Sequence, residues 1–374
     1  MQQPDKLKVI LSGGGTGGHI FPAIAIADTI KKMVPGTEFL FVGAIGRMEM
    51  EKVPAAGYPI EGLWISGFHR KPSIESLLFP FKVISSLYKA RRIIKSFKPD
   101  VVIGTGGYAS GPTVRAASSM KIPTLIQEQN SYPGITNRML AKRAKAICVA
   151  FDGMEKYFPK EKIIITGNPV REEIINNTVS RKEALAFFGL KDDRITLLVI
   201  GGSLGAKTIN NSIHSGLKIL AENKIQVIWQ SGKLYARTAE LVTSHYSEDG
   251  ILSMPFITRM DMAYAAADIV VSRAGAIALS ELCIKAKPSI LVPSPNVAED
   301  HQTKNTMALK RKNAAILVRD QDCRRMLVKK VLELAKDQQL REELKTNIEK
   351  LAYPFAAQDI AKAAIQMTIK TRNQ

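Results

Sequence analysis

Three times along this chain an apolar run ends in a cluster of glycines. Lys8–Leu11 leads into Ser12-Gly13-Gly14-Gly15-Thr16-Gly17-Gly18 and a single histidine, His19. Val101–Ile103 leads into Gly104-Thr105-Gly106-Gly107, repeating the order of Gly15-Thr16-Gly17-Gly18, and Ile195–Ile200 leads into Gly201-Gly202-Ser203. A strand that loses its side chains at its end and then gives way to a helical pattern is the βα turn of an open parallel sheet. Ligands of such sheets bind beyond the carboxyl ends of the strands. There the bare turn exposes backbone N–H groups, and the helix N-terminus adds positive potential suited to phosphate. Glycine is costly in chain entropy, so clusters of this size imply a return, such as close approach by a ligand.

The spacing between these points fits that architecture. Pro22–Met33 has helical periodicity, Glu38–Val42 reads as a second strand, and Thr124–Ile126 and Ala146–Val149 continue the series. The pattern restarts with Ile195–Ile200, Val227–Gln230, Ile269–Ser272 and Ser289–Val292. Alternation of this kind predicts parallel sheets covered by helices on both faces. The break falls near Gly167-Asn168-Pro169, predicting domains over 1–168 and 169–353, with a terminal helix over about 354–374 packing back on the first. A length of 374 residues suits two domains, and 45% hydrophobic with 23% charged residues is a globular composition.

Charge narrows the partners. Fifty-three basic against 34 acidic residues leave a formal +19, which favours an anionic partner: nucleic acid, an anionic membrane surface or a phosphorylated ligand. No basic–aromatic interleaving or nucleic-acid module is evident, which argues against the first. No apolar stretch approaches the ~20 residues of a spanning helix. Cys148, Cys283 and Cys323 lack metal or redox spacing, and without a signal-peptide pattern the expected setting is a reduced cytoplasm.

Gly13, Gly15 and Gly18 satisfy G-x-G-x-x-G, but a dinucleotide fold also needs an acid at the end of the second strand, and Glu38 opens that strand. Gly201–Thr208 is one residue from a P-loop, with Ala206 where the backbone wrap requires glycine; such a loop can still hold a diphosphate through its N–H groups. His19, beside a glycine loop at a helix start, is placed to act as general base or to orient an anion, rather than to fill a core. Glu281 lies in the apolar run Ala276–Cys283, where a carboxylate is costly without partners. It either bridges two ribose hydroxyls or accepts a structural hydrogen bond. With no metal motif recognised, neither metal-dependent chemistry nor a cofactor is expected.

Seven segments then act together: "GGGTGGHIFPA", "GTGGYASGP", "EQNSYPGITNR", "GNPVR", "GGSLGA", "SRAGAIALSE" and "DHQTKN". In this order, over about residues 8–355, the chain resembles the MurG family of membrane-associated N-acetylglucosaminyltransferases of peptidoglycan synthesis. Ala286 and Ala274 depart from the glycine and serine usual in the family, small changes near the nucleotide. The resemblance implies a GT-B fold, two Rossmann-like doubly wound domains facing a central cleft. It implies UDP-N-acetylglucosamine as donor and undecaprenyl-diphospho-N-acetylmuramoyl-pentapeptide (lipid I) as acceptor, at the cytoplasmic face of the membrane. Transfer to another lipid such as diacylglycerol is the alternative within the same architecture.

Carried over residue by residue, the resemblance implies that Thr16, Gly17 and Gly18 line the donor sugar and diphosphate. Asn130 contacts the N-acetylglucosamine, and Arg171 and Ser203 meet the diphosphate. Ile257 and Ala276, Ile277, Ala278, Leu279 and Ser280 frame uracil and diphosphate, with Glu281 on the ribose, Gln302 on the sugar hydroxyls and His19 catalytic. The remaining loop, Gly104, Thr105, Gly106 and Gly107 with Tyr108, is then expected to hold the acceptor diphosphate. From Ile74 to Ile84 the chain is apolar, followed by Lys82, Lys89, Arg91, Arg92, Lys95 and Lys98 with no acid between Glu75 and Asp100. Leu77, Leu78, Phe79 and Phe81 are therefore expected to enter an anionic membrane surface beside a basic rim, the plainer alternative being a core helix with a solvated basic face.

Overall fold

Short β-branched runs, each stopped by glycine or proline, become the strands of two all-parallel sheets in the computed structural model, which describes residues 6–67, 74–202 and 204–372. The chain divides into one unit of Met1–Val170 with Pro354–Gln374 and a second of Arg171–Tyr353. The first runs β1 (Lys8–Gly13), α1 (Gly17–Met33), β2 (Glu38–Ala44), α2 (Glu49–Ala55), β3 (Ile60–Leu63) and α3 (Ile74–Phe97). It continues with β4 (Val101–Gly106), α4 (Ser110–Ser119), β5 (Thr124–Glu128), α5 (Ile135–Leu140), β6 (Ala146–Val149) and β7 (Ile163–Ile165).

Strand order is β3-β2-β1-β4-β5-β6-β7. Successive β1 side chains enter opposite layers: Val9 and Leu11 join Ile20, Ile26 and Ile30 of α1, while Ile10 joins Ala90 and Ile94 of α3. The order reverses between β1 and β4, the switch point where an open sheet leaves room for a ligand. The turns after these two strands are the glycine clusters.

The second unit runs α6 (Glu172–Ile175), α7 (Arg181–Phe188), β8 (Thr196–Ile200), α8 (Lys207–Glu222), β9 (Gln226–Gln230), α9 (Ala236–Thr243) and β10 (Ile251–Met254). Then follow α10 (Met260–Ala266), β11 (Ile269–Ser272), α11 (Ala276–Ile284), β12 (Ser289–Leu291), α12 (His301–Lys310) and β13 (Ile316–Leu317). Helices α13 (Cys323–Lys336) and α14 (Gln338–Glu349) close it. Its order, β10-β9-β8-β11-β12-β13, reverses between β8 and β11. The last helix, α15 (Ala356–Arg372), belongs to the first unit, where Ile360, Ala361, Ala364 and Ile365 share a core with Ile20, Ile26 and Ile30.

Some boundaries differ from expectation. Helix α1 begins at Gly17, five residues before Pro22, so Gly17, Gly18 and His19 form its first turn. Strand β4 extends through Gly106 because Gly104 pairs with Ser12 and Ile126, and Gly106 with Gly13. The short strands β3, β7, β10 and β13 were not anticipated. The three cysteines are buried and free.

Candidate active site

In the first unit, Thr16 caps α1 in extended conformation without a side-chain cap bond, and it is exposed. Gly17, Gly18 and His19 behind it are half-buried. The Gly15 N–H is already spent, donating to Glu49 Oε2 at 2.9 Å, while Glu49 Oε1 accepts from the Ala44 N–H at 3.0 Å. Fully buried Glu49 therefore ties the glycine turn to the end of β2, a role the sequence did not disclose. Glu38, the candidate acid for a dinucleotide ribose, instead pairs with Lys6 and Lys8.

His19 is oriented by groups that lie far away in sequence. Its Nδ1 is 3.1 Å from Oε1 of buried Gln129, and the Thr105 hydroxyl donates to its carbonyl at 2.8 Å. Across the switch point sits Gly106, at φ +99°; a Cβ there would lie 2.8 Å from His19 Cε1. The imidazole thus rests against bare backbone.

This geometry corrects the reading of the second glycine cluster. Gly104 and Thr105 are buried strand residues; a Cβ on Gly104 would lie 2.5 Å from Ser110 Oγ, and the Thr105 hydroxyl is committed to His19. Gly106 is buried too, so of the five expected acceptor residues only half-buried Gly107 and exposed Tyr108 present surface. The glycines of β4 make room for helices α1 and α4. Asn130 is held in place by Glu128, whose Oε1 accepts from the Asn130 backbone at 3.0 Å and whose Oε2 accepts from Asn137 at 2.9 Å and Gly134 at 3.1 Å. Burial holds the Glu128 carboxyl above its usual range, and these donors offset only part of that.

In the second unit the residues around its switch point come together. Glu281, in the second turn of α11, is buried; Oε1 accepts from Arg171 at 3.2 Å and Oε2 from the fully buried Tyr264 hydroxyl at 3.0 Å. Burial raises the carboxyl above its usual range, with Arg171 and Tyr264 opposing. Arg171 remains nearly half exposed and also pairs with Glu173 at 2.8 Å. Gly275 caps α11 in extended conformation with no side-chain cap bond, so the N–H groups of the first turn are not taken by a cap side chain.

Ala276, Ile277 and Ala278 are half-buried in that turn, and the Ser280 hydroxyl donates to the Ala276 carbonyl at 3.1 Å. Leu279, expected to frame the nucleotide, is instead buried at 1% exposure, because the helical period turns it inward. Ile257 is also buried, its N–H donating to Gln230 Oε1 at 3.0 Å, so it offers no side-chain surface. Gln302 Oε1 accepts from the Ser294 N–H at 2.8 Å, which orients the amide. Ser203 lies outside the described residues.

The chain does carry an Asp-x-Asp triplet, Asp320-Gln321-Asp322, contrary to the expectation of no metal motif. Asp320 is occupied by Arg273 at 2.5 Å and by the Thr208 hydroxyl at 2.9 Å. Among the described residues no group of three or more His, Cys, Asp or Glu side chains could hold a metal ion.

Helix α3 carries the apolar segment. Leu77 (75% exposed), Phe81 (63%), Ile84 (65%) and Tyr88 (73%) fall at i, i+4, i+7 and i+11, one stripe of the helix, while Ala90 and Ile94 face the core. Leu78 is marginally exposed and Phe79 half-buried, so the open stripe runs further along the helix than expected and excludes Phe79. Lys89, Arg91, Arg92, Lys95 and Lys98 are exposed beyond it, and Lys82 lies over the Trp64 ring at 5.7 Å. Among the described residues no helix is long and apolar enough to cross a membrane.

Two parallel α/β units with glycine-bearing strand ends at their switch points fit the GT-B architecture of nucleotide-sugar glycosyltransferases, and comparisons agree. Residues 9–149 match the glycosyltransferase family 28 N-terminal domain and residues 196–363 its C-terminal domain. The UDP-N-acetylglucosamine--N-acetylmuramyl-(pentapeptide) pyrophosphoryl-undecaprenol N-acetylglucosamine transferase of Phocaeicola vulgatus is 52% identical over 99% of both chains. The protein of the same name from Cytophaga hutchinsonii is 53% identical over 98% of each. The crystal structure of Acinetobacter baumannii MurG superposes with a TM-score of 0.81 at 28% identity, covering 96% of this chain and 99% of that one. A UDP-N-acetylglucosamine 2-epimerase from Neisseria meningitidis, at 15% identity and TM-score 0.65 over 96% of this chain and all of its own, shares the fold alone. The chain belongs to glycosyltransferase family 28, within its MurG branch of N-acetylglucosaminyltransferases.

Proposed function

We propose that this chain transfers N-acetylglucosamine from UDP-N-acetylglucosamine to the C4 hydroxyl of the muramoyl sugar of lipid I, with inversion, giving lipid II and UDP. The observation that carries the reading is a likeness spanning the whole chain, with 52% of aligned residues shared with a transferase named for that reaction. The bond from O4 to the anomeric carbon forms as the bond from that carbon to the UDP oxygen breaks. The electron pair leaves on the diphosphate, and the hydroxyl proton goes to His19 as general base. Positive potential for the departing diphosphate comes from Arg171 and from the N-terminal turn of α11, Ala276 to Ala278. Glu281 accepts from the ribose hydroxyls, Asn130 and Gln302 contact the sugar, and Gly107 with Tyr108 adjoins the acceptor diphosphate.

Incubation with labelled UDP-N-acetylglucosamine and a short-chain lipid I analogue, with chelator present, is expected to label the prenyl diphosphate product. Label appearing in diacylglycerol instead would replace the acceptor assignment.

The protein works as a peripheral enzyme at the cytoplasmic face of the membrane, where a polyprenyl substrate is confined. The stripe Leu77–Phe81–Ile84–Tyr88 enters the headgroup region, and the exposed basic residues of α3 each add roughly 1 kcal/mol near an anionic surface. The most exposed positions supply the test. Leu77→Glu combined with Phe81→Glu is expected to abolish sedimentation with anionic vesicles at low salt while binding of the donor survives. Wild-type protein that stays in the supernatant would end the membrane assignment.

A further inference from the structure

We infer that Gln129 is a positioning residue that fixes His19 as the tautomer with its proton on Nδ1, leaving the lone pair on Nε2. The inference rests on the reading of His19 as the general base and names the nitrogen that takes the proton. Its starting point is a donor whose direction is unambiguous. The Gln129 side-chain N–H donates to the Thr105 carbonyl at 2.7 Å, and a carbonyl can only accept. The amide is therefore oriented, and the atom facing His19 Nδ1 at 3.1 Å is its oxygen. An oxygen there can only accept, so Nδ1 carries the hydrogen. The opposite tautomer would set two lone pairs against each other beside a buried amide.

A second anchor holds the same direction. The Gln129 side-chain N–H also donates to Gln127 Oε1, and Gln127 Nε2 donates to Asn168 Oδ1 at 2.9 Å. Asn168 Nδ2 in turn donates to the Gln129 backbone carbonyl at 3.1 Å. Gln127, Gln129 and Asn168 are each at most 1% exposed, so water does not compete for these bonds. The relay begins and ends on main-chain carbonyls, and no member of it ionises. It sets the tautomer as a carboxylate behind a catalytic histidine does, without the negative charge that would stabilise an imidazolium. Gly106 completes the arrangement, since its missing Cβ leaves room for the Nδ1–Cε1 edge of the ring, 2.8–2.9 Å from where that atom would stand.

The test reads the tautomer directly and separately from catalysis. The chain has five histidines, so protein labelled with ¹⁵N-histidine gives few imidazole signals, and His19→Gln identifies the one that belongs to His19. Neutral His19 in the wild type is expected to show a protonated Nδ1 and an unprotonated Nε2. Gln129→Leu is expected to release that preference and lower kcat by about 10- to 100-fold, with donor KM within about twofold of wild type. Gln129→Glu, as the protonated acid, keeps an acceptor oxygen against Nδ1–H while its O–H donates to the Thr105 carbonyl, and it is expected to keep the tautomer and recover part of the lost kcat.

A wild-type His19 protonated on Nε2 would overturn the inference, and that spectrum needs no variant to fold. So would a Gln129→Leu enzyme with unchanged tautomer and kcat. An active His19→Ala enzyme would remove the general-base reading while leaving the tautomer result standing, so the two failures are distinguishable.

Discussion

Replacing His19 by alanine is expected to lower kcat by at least about 100-fold, the loss of some 2.7 kcal/mol of transition-state stabilisation. Donor KM is expected to hold, because the groups assigned to the diphosphate and ribose, Arg171, Glu281 and α11, belong to the second unit and His19 to the first. The side chain is half-buried and its loss opens little core, so the expected effect is kinetic. His19→Gln refines the result: an enzyme that has lost its titrating base also loses the acidic limb of its pH–rate profile. Survival of that limb would show that another group titrates. An unchanged kcat in His19→Ala would remove the residue from the chemistry.

Glu281→Ala is expected to raise donor KM by about 10- to 150-fold, corresponding to the roughly 1.5–3 kcal/mol of hydrogen bonds to a charged group. An ionised carboxylate offers about four acceptor sites. Arg171 and Tyr264 each occupy one, leaving capacity for a ribose diol. The same substitution strips the fully buried Tyr264 hydroxyl of its acceptor, a stability cost of about 1–3 kcal/mol. Glu281→Gln separates the two effects, since the amide oxygen can still accept from Tyr264 while the charge is gone. Donor titrations by calorimetry, beside thermal melts of both variants, check this. Donor affinities equal to wild type would leave Glu281 with a purely structural role.

What could be read in the sequence was what local pattern controls. Strands β1, β4 and β8 were legible because their apolar runs end in glycine, and Ile269–Ser272, which ends in Ser272-Arg273, was bounded to the residue by its apolar run alone. Edge strands were not. Ile163-Ile164-Ile165 follows the lysine-rich turn Lys160-Glu161-Lys162 with two of its isoleucines exposed, so it lacks the surroundings of a buried strand. Gly104–Gly106 was misread as loop because glycine weakens strands in isolation, whereas here the neighbouring helices leave no volume for a Cβ. Among site residues, His19 and Glu281 stood out as polar groups in unexpected company. Gln129 and Glu49 did not, although Gln129 lies inside the quoted "EQNSYPGITNR". What makes them matter is a hydrogen bond spanning 110 residues in one case and 34 in the other, which no local pattern carries.

Helix α15 gives the molecule an order of assembly. Residues 171–353, translated before it, form a unit whose own strands and helices are contiguous in the chain, so that unit can close as soon as it leaves the ribosome. The first unit cannot, although it is synthesised first. Its α1 face of Ile20, Ile26 and Ile30 shares a core with Ile360, Ala361, Ala364 and Ile365, residues translated only after the whole second unit. The nascent first unit thus waits with an apolar surface open to solvent, the condition under which chaperones are engaged. Loss of α15 would leave that surface open permanently, so a lesion beyond the second unit would be felt as instability in the first.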